Sequence, residues 1–152
     1  MTHISGAPVV SALDRYATKS VTFTGAANFG ATGTAATLFT VTGEVLVVAL
    51  VPFCTTLLTL SGTPTDGSLA LGVTGSAALF VAATNVLDID ANEFWVDTVP
   101  DPYGVALPAA LRDIVITDNV IATSAGTDNC NAGVIRFSVY WRPISTDGLV
   151  AA

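Results

Sequence analysis

Positive charge is the scarcest property of this chain. Its 152 residues carry five Lys or Arg against twelve Asp or Glu, a formal net charge of −7, and Lys19 is the one lysine. Proteins that grip nucleic acid gather basic side chains on one surface to displace phosphate counterions, and the sequence has no such cluster. An anionic membrane surface is disfavoured for the same reason. Histidine is nearly missing as well: His3 is the sole one, and a Ser or Cys nucleophile needs a positioned base. The two cysteines, Cys54 and Cys130, make no zinc site with one distant histidine. The opening MTHISGAPVV lacks the basic and long apolar regions of a signal peptide. Folding in a cytoplasm, with both thiols free, is therefore expected. The longest apolar stretch, 45–60, is interrupted by Pro52, Thr55, Thr56 and Thr59. It falls short of the roughly 20 residues that a spanning helix needs. Charge of either sign is sparse, at 11% of residues beside 51% hydrophobic, where about 25% charged is ordinary. Either Thr, Ser, Asn and Gly keep the surface polar, or copies of the chain or a partner cover it. Large apolar surfaces seldom stay exposed on soluble monomers, so an oligomer is expected.

What the sequence does contain is alternation. In 133–143, GVIRFSVYWRP, Ile135, Phe137, Val139 and Trp141 share one face of an extended strand, and Val134, Arg136, Ser138, Tyr140 and Arg142 share the other. β-Branched and aromatic residues suit such a half-buried pleat. Gly133 opens the strand and Pro143, which cannot donate to a ladder, closes it. Similar patterns predict strands at 20–25, 37–42, 45–51, 55–60 and 68–73. Short strands are also predicted at 114–117 and 120–125, flanking a hairpin turn at Asp118-Asn119. The run 45–51 is apolar at nearly every position, as in a strand covered on both faces. The alanine-rich 75–84 fits a strand better than a helix among such neighbours. Turn chemistry at 62–67, GTPTDG, separates two of these strands, and Gly148 with the final alanines reads as a tail. About eight to ten short strands at this spacing predict an all-β fold: one antiparallel β-sandwich or jelly-roll-like domain over 20–152. Residues 1–19 precede it as an N-terminal arm, and the pattern SALDRY fits a helical turn at 11–16 capped by Ser11.

Candidate chemistry is thin. Asp88, Asp90 and Asn92 alternate like the start of a calcium loop, but Glu93 stands where that loop needs glycine and Val99 where it needs an acid. A strand with those three on its polar face and Ile89 inward is the plainer expectation. Acids at Asp88, Asp90, Glu93 and Asp97 are available for glycosidase-type pairs, but acids on a solvated face are far commoner than catalytic ones. The chain is expected not to be an enzyme, with no catalytic residue, no metal and no cofactor. Trp, Tyr and Arg are enriched at interface hot spots. The interface candidates are accordingly Arg15 and Tyr16 in the arm, Trp95 and Tyr103 among acids, and Arg136, Tyr140 and Arg142 on the polar face of the last long strand.

The arm, the phrase SVTFTGAANFGATGTAATLFTVTGEV and the ending AGVIRFSVYWRPISTDGLVAA give the chain the texture of an acidic Thr/Gly/Ala-rich β protein. In this it resembles small virion proteins of tailed bacteriophages, and among them the capsid decoration, or cement, type. The resemblance implies a structural protein, often a homotrimer, applied to the outer surface of the phage head and made in the host cytoplasm. Its partners would be itself and the major capsid protein, with no nucleic acid and no membrane, and it brings no catalytic residues. The other expectation is a receptor- or glycan-binding knob of a tail or head fibre, with Trp95 and Tyr103 stacking on sugars.

Overall fold

A computed structural model describes residues 14–62 and 66–152. Among them, eleven strands follow in chain order: β1 (Arg15–Thr22), β2 (Ala35–Thr42), β3 (Val45–Leu60), β4 (Gly67–Val73), β5 (Ser76–Asn85), β6 (Glu93–Phe94), β7 (Asp101–Pro102), β8 (Arg112–Ile116), β9 (Val120–Gly126), β10 (Cys130–Pro143) and β11 (Leu149–Ala151). Short 3-10 turns fall at Val86–Asp88 and Ala109–Leu111.

The pairing has a simple logic. The first half of the chain folds back on the second, so that β1 pairs β10, β2 pairs β9, β3 pairs β8 and β4 pairs β5, all antiparallel. This long double ribbon then wraps, bringing β10 against β3 and β9 against β4. The result is two sheets. One has the order β1-β10-β3, with β8 and the small β6-β7 pair sharing the far side of β3, and the other has the order β11-β2-β9-β4-β5. Four nested pairs wrapped into two facing sheets make a jelly-roll-like sandwich.

One hydrophobic core fills the space between the sheets. From the first sheet come Val45, Val47, Leu50, Ile135, Phe137, Val139 and Trp141, and from the second Leu38, Phe39, Leu69, Leu71, Phe80, Val81 and Val120. The inward face of β10 is the one its alternation predicts. β3 runs unbroken through Pro52. On one side of β3, β8 pairs it as far as Ala49 and β6 pairs it at Phe53. Pro52, lacking an N–H, falls in the gap between them.

Several local expectations are corrected. β1 begins at Arg15, so Arg15 to Lys19 are sheet residues rather than arm, because Tyr16 and Ala17 pair with Tyr140 and Val139. The rest of the predicted arm, and most of the helical turn proposed at 11–16, lie outside the described residues. Asp118-Asn119 does not close a hairpin: β8 belongs to the first sheet and β9 to the second. The chain crosses the sandwich there, with the Asn119 side-chain oxygen accepting the Val41 N–H at 2.9 Å and its carbonyl accepting the Thr74 N–H at 3.1 Å. The expected strand through Asp88, Asp90 and Asn92 is a 3-10 turn and loop, although Ile89 does point into the core. The tail is strand β11, held because Val150 is buried and pairs with Val41. Gly133 lies inside β10, where the β10–β3 register shifts. Its φ is +106°, and a Cβ there would stand 2.5 Å from the Leu57 carbonyl oxygen, so only glycine fits this bulge.

Candidate functional site

In an antiparallel ladder, residues directly opposite one another point to the same face. The register of β1, β10 and β3 therefore builds the outer face of the first sheet row by row. Tyr16, Tyr140 and Ala49 form one row, Thr18, Ser138 and Val51 the next, and Ser20, Arg136 and Phe53 the third. The third row continues to Phe94 on β6. At the other end, Arg142 stands opposite Leu46, which stands opposite Val115 on β8.

This face is the candidate site because of what it leaves uncovered. β3 is apolar on both sides. Its inward residues are buried, while Leu46, Val48, Ala49, Val51 and Phe53 on the outside stay partly open to water. Around them Tyr16 is 54% exposed, Tyr140 45% and Val115 54%. The aromatic rings are already organised. Tyr16 and Tyr140 meet at 5.0 Å between centroids with a 46° tilt, and Phe53 and Phe94 at 4.8 Å with a 55° tilt. Such tilted pairs fall within the favourable range for ring contacts. The Arg136 guanidinium lies over the Phe53 ring, 5.2 Å from its centroid. Hydrogen bonding with Ser138 and then Thr18 holds the Tyr16 phenol below its ordinary pKa. Arg142 is paired with Asp14, whose hydrogen bond holds the guanidinium above its ordinary value.

Of the residues singled out in the sequence, Tyr16, Arg136, Tyr140 and Arg142 converge on this face. Arg15 does not. It stands opposite inward-facing Trp141, and its guanidinium covers that indole 5.5 Å from the ring centroid. Tyr103 sits beyond the β6 end of the face. Trp95 is no surface residue at all: it is 0% exposed. Its indole N–H donates to Thr84 Oγ1 at 2.9 Å, so the one polar group of a large ring is satisfied inside the core, where burying its area is most favourable. The residues missed were Leu46, Val51, Phe53, Phe94 and Val115. The unbroken apolar run at 45–51 was the signal for the first two.

Phe53 and Phe94 continue into a groove of about 660 Å³, lined also by Asp90, Ala91, Asn92, Glu93, Pro102 and Tyr103. The Asp90 backbone N–H donates to Glu93 Oε2 at 3.0 Å. Asn92 and Tyr103 both hold left-handed backbone, with φ of 70° and 69°, a conformation uncommon for a bulky residue such as tyrosine. Tyr103 is fully exposed at the rim.

The two thiols lie elsewhere, in the core. Both are free, and burial pushes Cys54 up to about 11 and Cys130 up to about 12. Buried thiols with raised pKa values carry little thiolate at neutral pH. No group of three or more His, Cys, Asp or Glu is placed to hold a metal ion among the described residues. No helix among those residues is long and apolar enough to cross a membrane. Neither a family model, nor a curated protein, nor a solved structure matches the chain.

Proposed function

We propose that this chain is a virion structural protein, a decoration protein that clamps the outside of a phage head through the outer face of its β1-β10-β3 sheet. The observation that carries the proposal is the apolar, partly open outer side of β3. A central strand with Leu46, Val51 and Phe53 facing water, ringed by two tyrosines and two arginines, has the aromatic and arginine content of an interface core. A jelly-roll-like sandwich is common to viral shell proteins, lectins and cupins, so the fold is compatible with this role without assigning it. The resemblance to small phage virion proteins supplies the partner, the major capsid protein, and a closed, trimeric arrangement of copies is its usual form.

The mechanism is physical. A clamp that bridges neighbouring shell subunits adds buried area at many symmetry-related places, so individually weak contacts multiply through effective concentration. The glycan-binding knob loses support, since one of its two proposed stacking platforms, Trp95, is core.

The test is size-exclusion chromatography of the full chain alone and after mixing with empty capsids of the source particle. Oligomer formation and co-elution with the capsids are expected. A soluble monomer with no affinity for the particle refutes the proposal. The truncation that probes an arm removes residues 1–13 only, since a cut at Lys19 takes more than half of β1.

A further inference from the structure

The groove beyond Phe53 has an unusual chemical bias. Asp90 and Glu93 contribute carboxylates, which only accept hydrogen bonds when ionised, and Phe53, Phe94 and Tyr103 contribute ring faces, which carry negative quadrupole potential. Of the lining side chains only the Asn92 amide and the Tyr103 hydroxyl donate. No basic side chain lines the groove beside Asp90 and Glu93, and Glu93 accepts the Asp90 backbone N–H. The two carboxylates with the Phe94 and Tyr103 rings therefore favour a ligand that is positive, donates hydrogen bonds and has an apolar stem to lay on a ring, while the Phe53 ring already carries a guanidinium of the chain itself. The chain itself provides a precedent at the groove's edge, where the Arg136 guanidinium rests on Phe53.

We propose that the groove receives a lysine or arginine side chain of the protein that covers the adjacent sheet face. The source is a partner protein rather than a free amine because the groove is continuous with that face through Phe53 and Phe94, and because its carboxylates complement a basic segment. At about 660 Å³ it is the size of ordinary ligand sites and holds a long side chain together with a stretch of its backbone. Tyr103, fully exposed at the rim, closes over the stem of the guest. The identity of the partner rests on the interface proposed above, whereas the groove's preference for a cation does not.

The experiment is an NMR titration of the isolated full chain, following backbone amide shifts. The probes are Nα-acetyl-arginine methylamide and Nα-acetyl-lysine methylamide, with the neutral citrulline analogue as control and spermidine as the free-amine arm. Saturable shifts confined to residues 90–94 and 103 are expected with the two basic probes and not with citrulline. In the D90N/E93Q double variant and in Y103A, affinity should fall by about tenfold or more, as for loss of a charge-assisted or cation–π contact. Equal binding of citrulline to the wild-type chain overturns the proposal, and that control does not depend on any variant folding. Unchanged affinity in a folded D90N/E93Q variant overturns it too. Spermidine binding far more tightly than either amino-acid probe overturns the assignment to a protein side chain. Failure of capsid co-elution with intact probe binding would refute the proposed function while leaving the groove's chemistry standing.

Discussion

The two sheets of this sandwich solve the same compositional problem in opposite ways. Every charged residue that lies in a strand lies in the first sheet: Arg15, Lys19, Glu93, Asp101, Arg112, Asp113, Arg136 and Arg142. The strands of the second sheet, β2, β4, β5, β9 and β11, have none. The second sheet fills its outer face mainly with small and hydroxylated residues, Thr37, Thr123, Ala125, Ser68, Ala70 and Gly72, around one large apolar side chain, Ile121, which is buried in the row of Thr37 and Gly72. The first sheet instead shows large apolar and aromatic side chains with arginines among them. Low charge thus has two meanings in one molecule: a threonine-and-alanine surface that needs no cover, and an aromatic surface of the kind that partners cover.

This contrast can be broken in three ways. The largest effect is expected where the sheets do not differ. Leu50→Ala in β3 and Leu69→Ala in β4 both empty the shared core, since each residue is 0% exposed, and each should cost about 2–5 kcal/mol in urea denaturation. Both variants should unfold in one transition. Two separable transitions would show that the sheets are not one cooperative unit. Next come the outer faces. Val51→Lys in the first sheet should leave stability nearly unchanged but weaken the proposed capsid binding by about tenfold or more, as an unpaired charge does at the centre of an interface. Ala70→Lys, at the matching place in the second sheet, should leave both intact. Equal losses from the two would erase the distinction between the faces.

The smallest effect concerns the thiols, which both belong to the first sheet. Burial raises Cys54 to about 11 and Cys130 to about 12 from an ordinary 9.0. The unfolded chain ionises at the lower value, so the folded state keeps its full advantage below pH 9. It loses that advantage progressively as pH rises from 9 through 11 and 12. Urea midpoints between pH 8 and 11 should therefore fall, and Cys130→Ala should flatten part of that slope. An unaltered slope would remove the thiols from the alkaline response.

What the sequence makes legible follows from range. The inward face of β10 is readable because strand parity is local: Phe137, Val139 and Trp141 announce themselves by spacing two apart. The run 45–51 is readable as a strand but not as one covered on both faces, since Leu46, Val48, Ala49 and Val51 stay partly open and an unbroken apolar run carries no parity. β11 was not, because three residues carry no period and are held by pairing with β2 at the other end of the chain. The crossing at Asp118-Asn119 was misread as a hairpin because the same turn residues serve both, and only the partners of β8 and β9 decide. Trp95 was misplaced because its neighbours Glu93 and Asp97 are polar, while its burial depends on Thr84 in the opposite sheet. Of the site, Tyr16, Arg136, Tyr140 and Arg142 were visible as residue types, but the Phe53–Phe94 contact exists only once β6 lies against β3.

The open side of the sandwich has a consequence for how copies avoid one another. Among the described residues β1 pairs with β10 on one side only, and an uncovered strand edge is the template on which fibrils grow. Lys19 lies on that strand, and its ammonium reaches across the cleft to the Thr37 carbonyl of the second sheet, 3.1 Å away. An arriving strand must first pull that tether loose and desolvate its charge. The only lysine in the sequence thus sits on an edge strand, where a charge disfavours the addition of another strand.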